Sequence, residues 1–183
     1  IYNSSNGGNI VFDGIDDYVI RSSNYLISST TSNFSIDLWF YMTQNPIDSG
    51  YLVPGLISVN GGVGTIQYMS FGPLPNRQLK LRWFDGAQNG KTGNSVLNLN
   101  QWYNVVCAVN NNNILFYVNG IVETIYTGNN LTTRSGDETQ YSIGNAYYGK
   151  FIGKIANVKV YNRALSDTEV LQNYNTLKKR FGL

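Results

Sequence analysis

The chain has 183 residues, with 13 Lys and Arg against 11 Asp and Glu, a formal net charge of +2, and no histidine. That length suits a single domain with a substantial core, and the near balance of charge argues against a dedicated nucleic-acid protein, which needs a basic patch to displace counterions. Without histidine a Ser-His-Asp triad, a Cys-His pair and a His-ligated zinc are excluded. One cysteine excludes an internal disulfide framework, and no apolar run approaches the roughly 18 residues of a membrane-spanning helix.

In chain order, residues 1–9 are turn-rich and predict an opening loop. Short strands follow at 10–12 and 18–20, on either side of a glycine turn. Residues 33–42 alternate, with Phe34, Ile36, Leu38, Phe40 and Met42 on the expected core face and Ser35, Asp37, Trp39 and Tyr41 opposite. The stretch 44–55 holds two prolines and reads as a long connection. Strands at 56–59, 65–71 and 78–84 are separated by Gly and Pro clusters. The polar, Gly-rich segment 85–94 predicts a loop. Residues 101–127 then predict a three-strand meander. Asn119-Gly120 is the strongest short hairpin signal, because a two-residue type I′ turn needs φ > 0 at both positions. Asn110 to Asn113 suit a four-residue turn. The strand opening the meander is apolar on both faces and is expected to lie centrally, with Cys107 a small buried hydrophobe. A loop at 128–139 and strands at 141–144 and 151–161 complete the β portion.

Only the tail reads as helical. Ser166 and Glu169 spell a capping box, and Val170, Leu171, Tyr174 and Leu177 fall at helical spacing, predicting one amphipathic helix over 166–179. Many short strands between turn signals in one domain, 1–183, give an all-β class. The expected architecture is a two-sheet antiparallel jelly-roll sandwich with one C-terminal helix.

Catalytic chemistry is sparse. A glycosidase needs two carboxyl groups flanking one bond, and the acids here are scattered through loops; no catalytic residue is assigned. Asp13, Asp16 and Asp17, three carboxylates around a glycine turn, either supply oxygen ligands to Ca²⁺ or form a plain turn with solvated acids. The aromatic excess is the second candidate. A sugar ring stacks its C–H face on Trp or Tyr while Asn and Asp engage its hydroxyls. Trp39 and Tyr41 lie opposite their strand's core face. Trp83 ends a strand beside Asp85 and Asn89, and Tyr147 and Tyr148 sit in a late loop. These seven are the candidate ligand-binding residues.

Phe12-Asp13-Gly14, Asp16-Asp17-Tyr18-Val19 and Phe34-Ser35-Ile36 with Trp39-Phe40 resemble the opening of the laminin-G-like, concanavalin A-like jelly-roll family. Gln101-Trp102-Tyr103-Asn104-Val105-Val106 and Phe116-Tyr117-Val118-Asn119-Gly120 resemble its middle. Tyr141-Ser142-Ile143-Gly144, Phe151 to Ile155 and Val160 to Ser166 resemble its end. The resemblance implies a sandwich that binds glycans or proteins, often with calcium, in extracellular proteins, enzyme-attached modules or phage virions. The Glu-x-Asp-x-x-Glu strand of the family's glucanases has no counterpart. Where the family commonly has Ile-Asp-Glu-Val, this chain has Ile155-Ala156-Asn157-Val158, which weakens the calcium expectation. The expected function is a non-catalytic, glycan-binding recognition module on a virion or cell exterior, resembling phage structural proteins. The alternative is a structural or decoration domain held in a virion or other assembly by contacts with other subunits. Neither reading involves nucleic acid or membrane insertion.

Overall fold

The computed structural model describes residues 1–22, 27, 33–46, 55–61, 67–84, 88–129, 131, 138–146 and 149–183. Its strands are β1 (Tyr2–Asn3), β2 (Asn9–Asp13), β3 (Val19–Ser22), β4 (Phe34–Met42), β5 (Ile57–Gly61), β6 (Gln67–Pro73), β7 (Gln78–Phe84), β8 (Gln88–Val96), β9 (Trp102–Asn110), β10 (Asn113–Val118), β11 (Ile121–Tyr126), β12 (Glu138–Ile143), β13 (Asn145–Ala146), β14 (Gly149–Lys150) and β15 (Ile152–Tyr161). Helix α1 covers Asp167–Leu177 and runs into a 3₁₀ turn at Lys178–Phe181.

A seven-stranded sheet runs β1-β2-β15-β4-β9-β10-β11 and a six-stranded sheet runs β3-β12-β5-β6-β7-β8, all pairings antiparallel, with β13-β14 a separate hairpin. The alternating positions 34 to 42, with Val105, Cys107, Val109 and Phe116, face Val59, Met69, Phe71, Leu79 and Leu81 in one core. Burial of this apolar surface is the main stabilising term. Cys107 is fully buried there, and burial pushes its thiol pKa up, so it is an inert apolar side chain. One side of the sandwich is closed: Glu123 Oε2 accepts from the amides of Asn94 and Ser95 at 3.0 and 2.7 Å, and the Tyr126 hydroxyl donates to Thr92 O at 2.6 Å.

The meander is β9-β10-β11, with β9 central between β4 and β10. Asn119 (φ 51°) and Gly120 (φ 80°) form the expected two-residue turn. The other turn is tighter than the sequence suggested. Asn110 pairs with Asn113, and only Asn111 (φ 42°) and Asn112 (φ 72°) turn the chain; left-handed asparagines make that affordable.

Three further expectations are corrected. The opening loop contains β1, a 3₁₀ turn at Ser5–Gly7 and the start of β2. The predicted loop 85–94 carries β8, an edge strand whose glycines and amides hid its pairing with β7. The helix ends at Leu177, and Leu171 is exposed while Val170 is buried. The inward positions are instead Val170, Asn173, Tyr174 and Leu177, because the sheet beneath presents a carboxylate that needs an amide.

The greatest departure from simple alternation is the outer face of the seven-stranded sheet. Along β4 every residue but Tyr41 is buried. The tail lies over that face and matches its polar groups. Ser35 Oγ donates to Arg163 O at 3.0 Å and accepts from Leu165 N at 2.8 Å. Asp37, 1% exposed, accepts from Asn104 Nδ2 at 2.7 Å and Asn173 Nδ2 at 2.9 Å, with Lys159 Nζ at 3.9 Å. The Tyr117 hydroxyl donates to Asp167 at 2.6 Å. Ser166 and Glu169 form the predicted capping box, and Arg163 clamps Glu169 through both guanidinium nitrogens at 2.9 and 2.7 Å. Arg180 donates to the carbonyls of Asn6 and Gly8, fastening the tail to the opposite end of the chain.

Candidate binding site

The structure removes Trp39 from the candidate ligand residues. It is 1% exposed and lies between Phe181 (centroids 4.2 Å, interplanar angle 17°) and Tyr174 (5.8 Å, 9°). Trp102 packs on the same Phe181 at 4.6 Å. The side of the strand was read correctly, but that side is covered by the tail. Tyr41, half-buried, borders this cluster, its ring 5.7 Å from Trp102 and under Lys154 Nζ at 4.8 Å. Trp83 is also unavailable as a stacking platform: it belongs to the main core at 4% exposure. Asn89 is its register partner on β8, so that predicted pair does meet. Asp85, Tyr147 and Tyr148 lie outside the described residues.

The three aspartates do not converge. Asp13 Oδ1 accepts from Ile15 N at 2.7 Å, closing the turn, and Asp17 Oδ2 accepts from Asp13 N at 3.1 Å. Among the described residues no group of three His, Cys, Asp or Glu is arranged to hold a metal ion. Asp13, Asp16 and Asp17 therefore do not form the oxygen cage that a calcium at this turn would need. The Ala156-Asn157 departure has a packing reason. Ala156, 5% exposed, sits under Trp39, Trp102 and Phe181, where a carboxylate would be a buried unpaired charge. Asn157 (φ 49°) sits in a bulge where two residues of β15 face one of β4.

Among the described residues, buried side-chain atoms without partners are Asn9 Oδ1, Ser70 Oγ, Trp83 Nε1, Asn104 Oδ1 and Glu123 Oε1, and two of the places that hold them are candidate sites. The first is the outer face of the six-stranded sheet. Register aligns one row across it: Ser142 on β12, Ser58 on β5, Ser70 on β6, Arg82 on β7 and Gly90 on β8. The next row holds Gly72, Lys80 and Thr92. Ser58 Oγ donates to Asn145 O at 2.9 Å, so the β13-β14 hairpin covers that end. Ser70 Oγ is buried with no partner. Arg82 is 5% exposed, and among the described residues no hydrogen bond or ion pair engages its guanidinium. Burial holds its pKa below the ordinary arginine value. A Cβ at Gly90 would fall 2.7 Å from Lys80 Cε, so the missing side chain makes room for the Lys80 side chain. The alternation of 78–84 contained this signal, since Lys80 and Arg82 fall opposite Leu79, Leu81 and Trp83.

The second is a groove of about 330 Å³ on the open side of the sandwich, between β2 and β15 of one sheet and β3 and β12 of the other. Its walls are mainly aliphatic, including Ile10, Val19, Ile143, Ile155 and Val158, with Tyr2 also lining it. Asn9, 3% exposed, also lines it and has an Oδ1 without a partner.

Two packed antiparallel sheets with a short C-terminal helix are a jelly-roll sandwich of the lectin-like class. Residues 13–171 match the family model described as the concanavalin A-like lectin/glucanases superfamily, and the chain belongs to that superfamily. No curated protein sequence matches significantly. Among solved structures, the binding domain of Paraclostridial Mosquitocidal Protein 1 is similar with a TM-score of 0.69 at 18% identity, over 96% of this chain and 45% of that one. Domain 4 of AbnA, a GH43 extracellular arabinanase from Geobacillus stearothermophilus in complex with arabinotriose, gives 0.66 at 17%, over 93% and 79%. The heptameric SAP-like pentraxin from Limulus polyphemus gives 0.64 at 15%, over 89% and 79%. The chain spans under half the length of the toxin binding domains it resembles.

Proposed function

We propose that this chain is a non-catalytic recognition module that binds glycan on the outer face of its six-stranded sheet. The observation that carries the reading is Ser70 Oγ, buried without a partner, beside Arg82, buried and engaged by no hydrogen bond or ion pair among the described residues. Hydroxyl and guanidinium groups complement the oxygens of a sugar, and buried polar groups without partners are rare unless something else satisfies them. Among the described residues, the acids most deeply tied into the fold give no support to hydrolysis. Asp37, Glu123, Asp167 and Glu169 are each committed to structural hydrogen bonds. The arabinotriose bound to the similar arabinanase domain supports a glycan ligand. A glycan array with the whole chain tests this; binding should appear and should fall with Ser70→Val, whereas an array without a binder refutes it. We place the module outside the cell, at a cell or virion surface, as its glycan ligand would require.

A second reading, a structural or decoration domain making contacts with other subunits, is favoured by the groove. Tyr2 (72% exposed) and Val19 line it, and Tyr18 and Ile20, also exposed, flank Val19 in the chain. Aromatic and aliphatic side chains of this kind anchor protein interfaces. Loss of assembly incorporation on Tyr2→Ser, with glycan binding intact, would select that reading.

A further inference from the structure

We propose that the ligand of the six-stranded sheet is an acidic sugar, whose carboxylate or sulfate is held by Arg82 with Lys80 beside it. This rests on the glycan reading above and narrows it to one chemical class. A neutral saccharide would leave the guanidinium without a counter-charge, and a buried charge is costly until it is paired. Arg82 and the serines aligned with it are recessed, at 0–5% exposure. Arg82 is flanked in register by Ser70 and Gly90, two of the smallest residues, so neither neighbouring strand supplies a side chain able to neutralise it. Lys80 is half-buried two residues away on the same face, flanked by Gly72 and Thr92. The described side chains in these two rows include two cations and no acid. The guanidinium fork matches a carboxylate or sulfate through two parallel N–H···O bonds, and unpartnered Ser70 Oγ supplies a further polar group next to it.

The test titrates the whole chain with three probes: a trigalacturonate, a heparin-derived tetrasaccharide and neutral galactotriose, each at low and high salt. One or both acidic probes should bind at least tenfold more tightly than galactotriose, with the advantage shrinking as salt rises. The trigalacturonate and heparin arms separate carboxylate from sulfate. Arg82→Gln should bring the acidic probe down to the neutral level, and Arg82→Lys should keep only part of the preference. Lys80→Gln, at a half-buried position that spares the core, should lower the preference two- to threefold and decides the matter where an Arg82 variant folds poorly. Equal binding of acidic and neutral probes, or a preference unchanged in both Arg82→Gln and Lys80→Gln, overturns the acidic-sugar assignment while the glycan reading stands. No binding of any saccharide overturns both.

Discussion

Replacing Trp39 with alanine separates a structural role from a ligand role at the residue the sequence nominated for stacking. The side chain is 1% exposed and closes a stack with Tyr174 and Phe181, rings from the helix and the 3₁₀ turn. Truncating a buried Trp costs about 3–5 kcal/mol, and each well-placed aromatic pair accounts for about 0.5–1.5 kcal/mol of such a sum. The sheet cannot collapse into the space, because Trp39 lies on the outer side of β4, against the tail. The loss should therefore sit near the middle of the range, about 4 kcal/mol. For a domain of this size that lowers the melting temperature by about 8–16 °C and the urea midpoint by about 1–2 M. Trp39→Phe, which keeps a ring between its two neighbours, should cost less than half as much. Differential scanning calorimetry and urea titration give the magnitudes, and limited proteolysis should show the tail cut first. A Trp39→Ala protein melting within 2–3 °C of the parent but losing glycan binding would refute the reasoning and restore Trp39 as a ligand platform.

Three other outcomes follow from the same geometry. Asp37 has its pKa raised above 3.8, burial outweighing the Asn104, Lys159 and Asn173 contacts. The folded state thus binds this proton more readily, so the contribution is full below 3.8 and is lost as pH rises through the raised value. Asp37→Asn should lose that pH dependence, and Asp37→Ala, which strands the buried Asn104 amide and the half-buried Asn173 amide, should cost about 3–5 kcal/mol; a pH-independent difference between parent and Asp37→Asn melting curves would contradict this. Glu169 behaves oppositely. The Arg163 side chain, then the Ser166 backbone, hold its pKa down at about 2 from 4.5, so its contribution is present above 4.5 and disappears as pH falls through about 2. Amide-exchange protection of α1 should drop across that window and be flat there in Glu169→Gln, while Ser166→Ala should cost about 1 kcal/mol through the lost cap. EDTA should leave the melting temperature unchanged, since Asp13 and Asp17 are engaged by backbone amides; a reproducible drop would reveal a cation site built from other ligands.

Much of the fold was legible because its signals are local. The type I′ turn at Asn119-Gly120, the alternation of 34–42, the two apolar faces of β9 and the Ser166-Glu169 cap each depend on a few neighbouring residues, and each forms as expected. Strand β8 was missed because Gly90, Gly93 and their polar neighbours offer no hydrophobic period, and its pairing is decided by β7. The candidate site failed for a related reason. Period-two alternation says which side of a strand a residue occupies and nothing about what covers that side. It placed Trp39 opposite the core correctly, yet whether that face meets water, a ligand or the tail depends on where residues 163–181 dock, more than 120 positions away. Trp83 ends its strand beside polar residues but faces the same core as Leu79 and Leu81. Conversely, Ser58, Ser70 and Arg82 are unremarkable in their separate strands and become a candidate site only when register aligns them.

The sequence by itself therefore determined the class, the turns, the core-facing positions and the absence of histidine chemistry, because those follow from composition and short-range stereochemistry. Only the tertiary structure decided which aromatics are spent on holding the tail and which polar groups are left without partners. Burial is a sum over segments far apart in the chain, and no local pattern contains it.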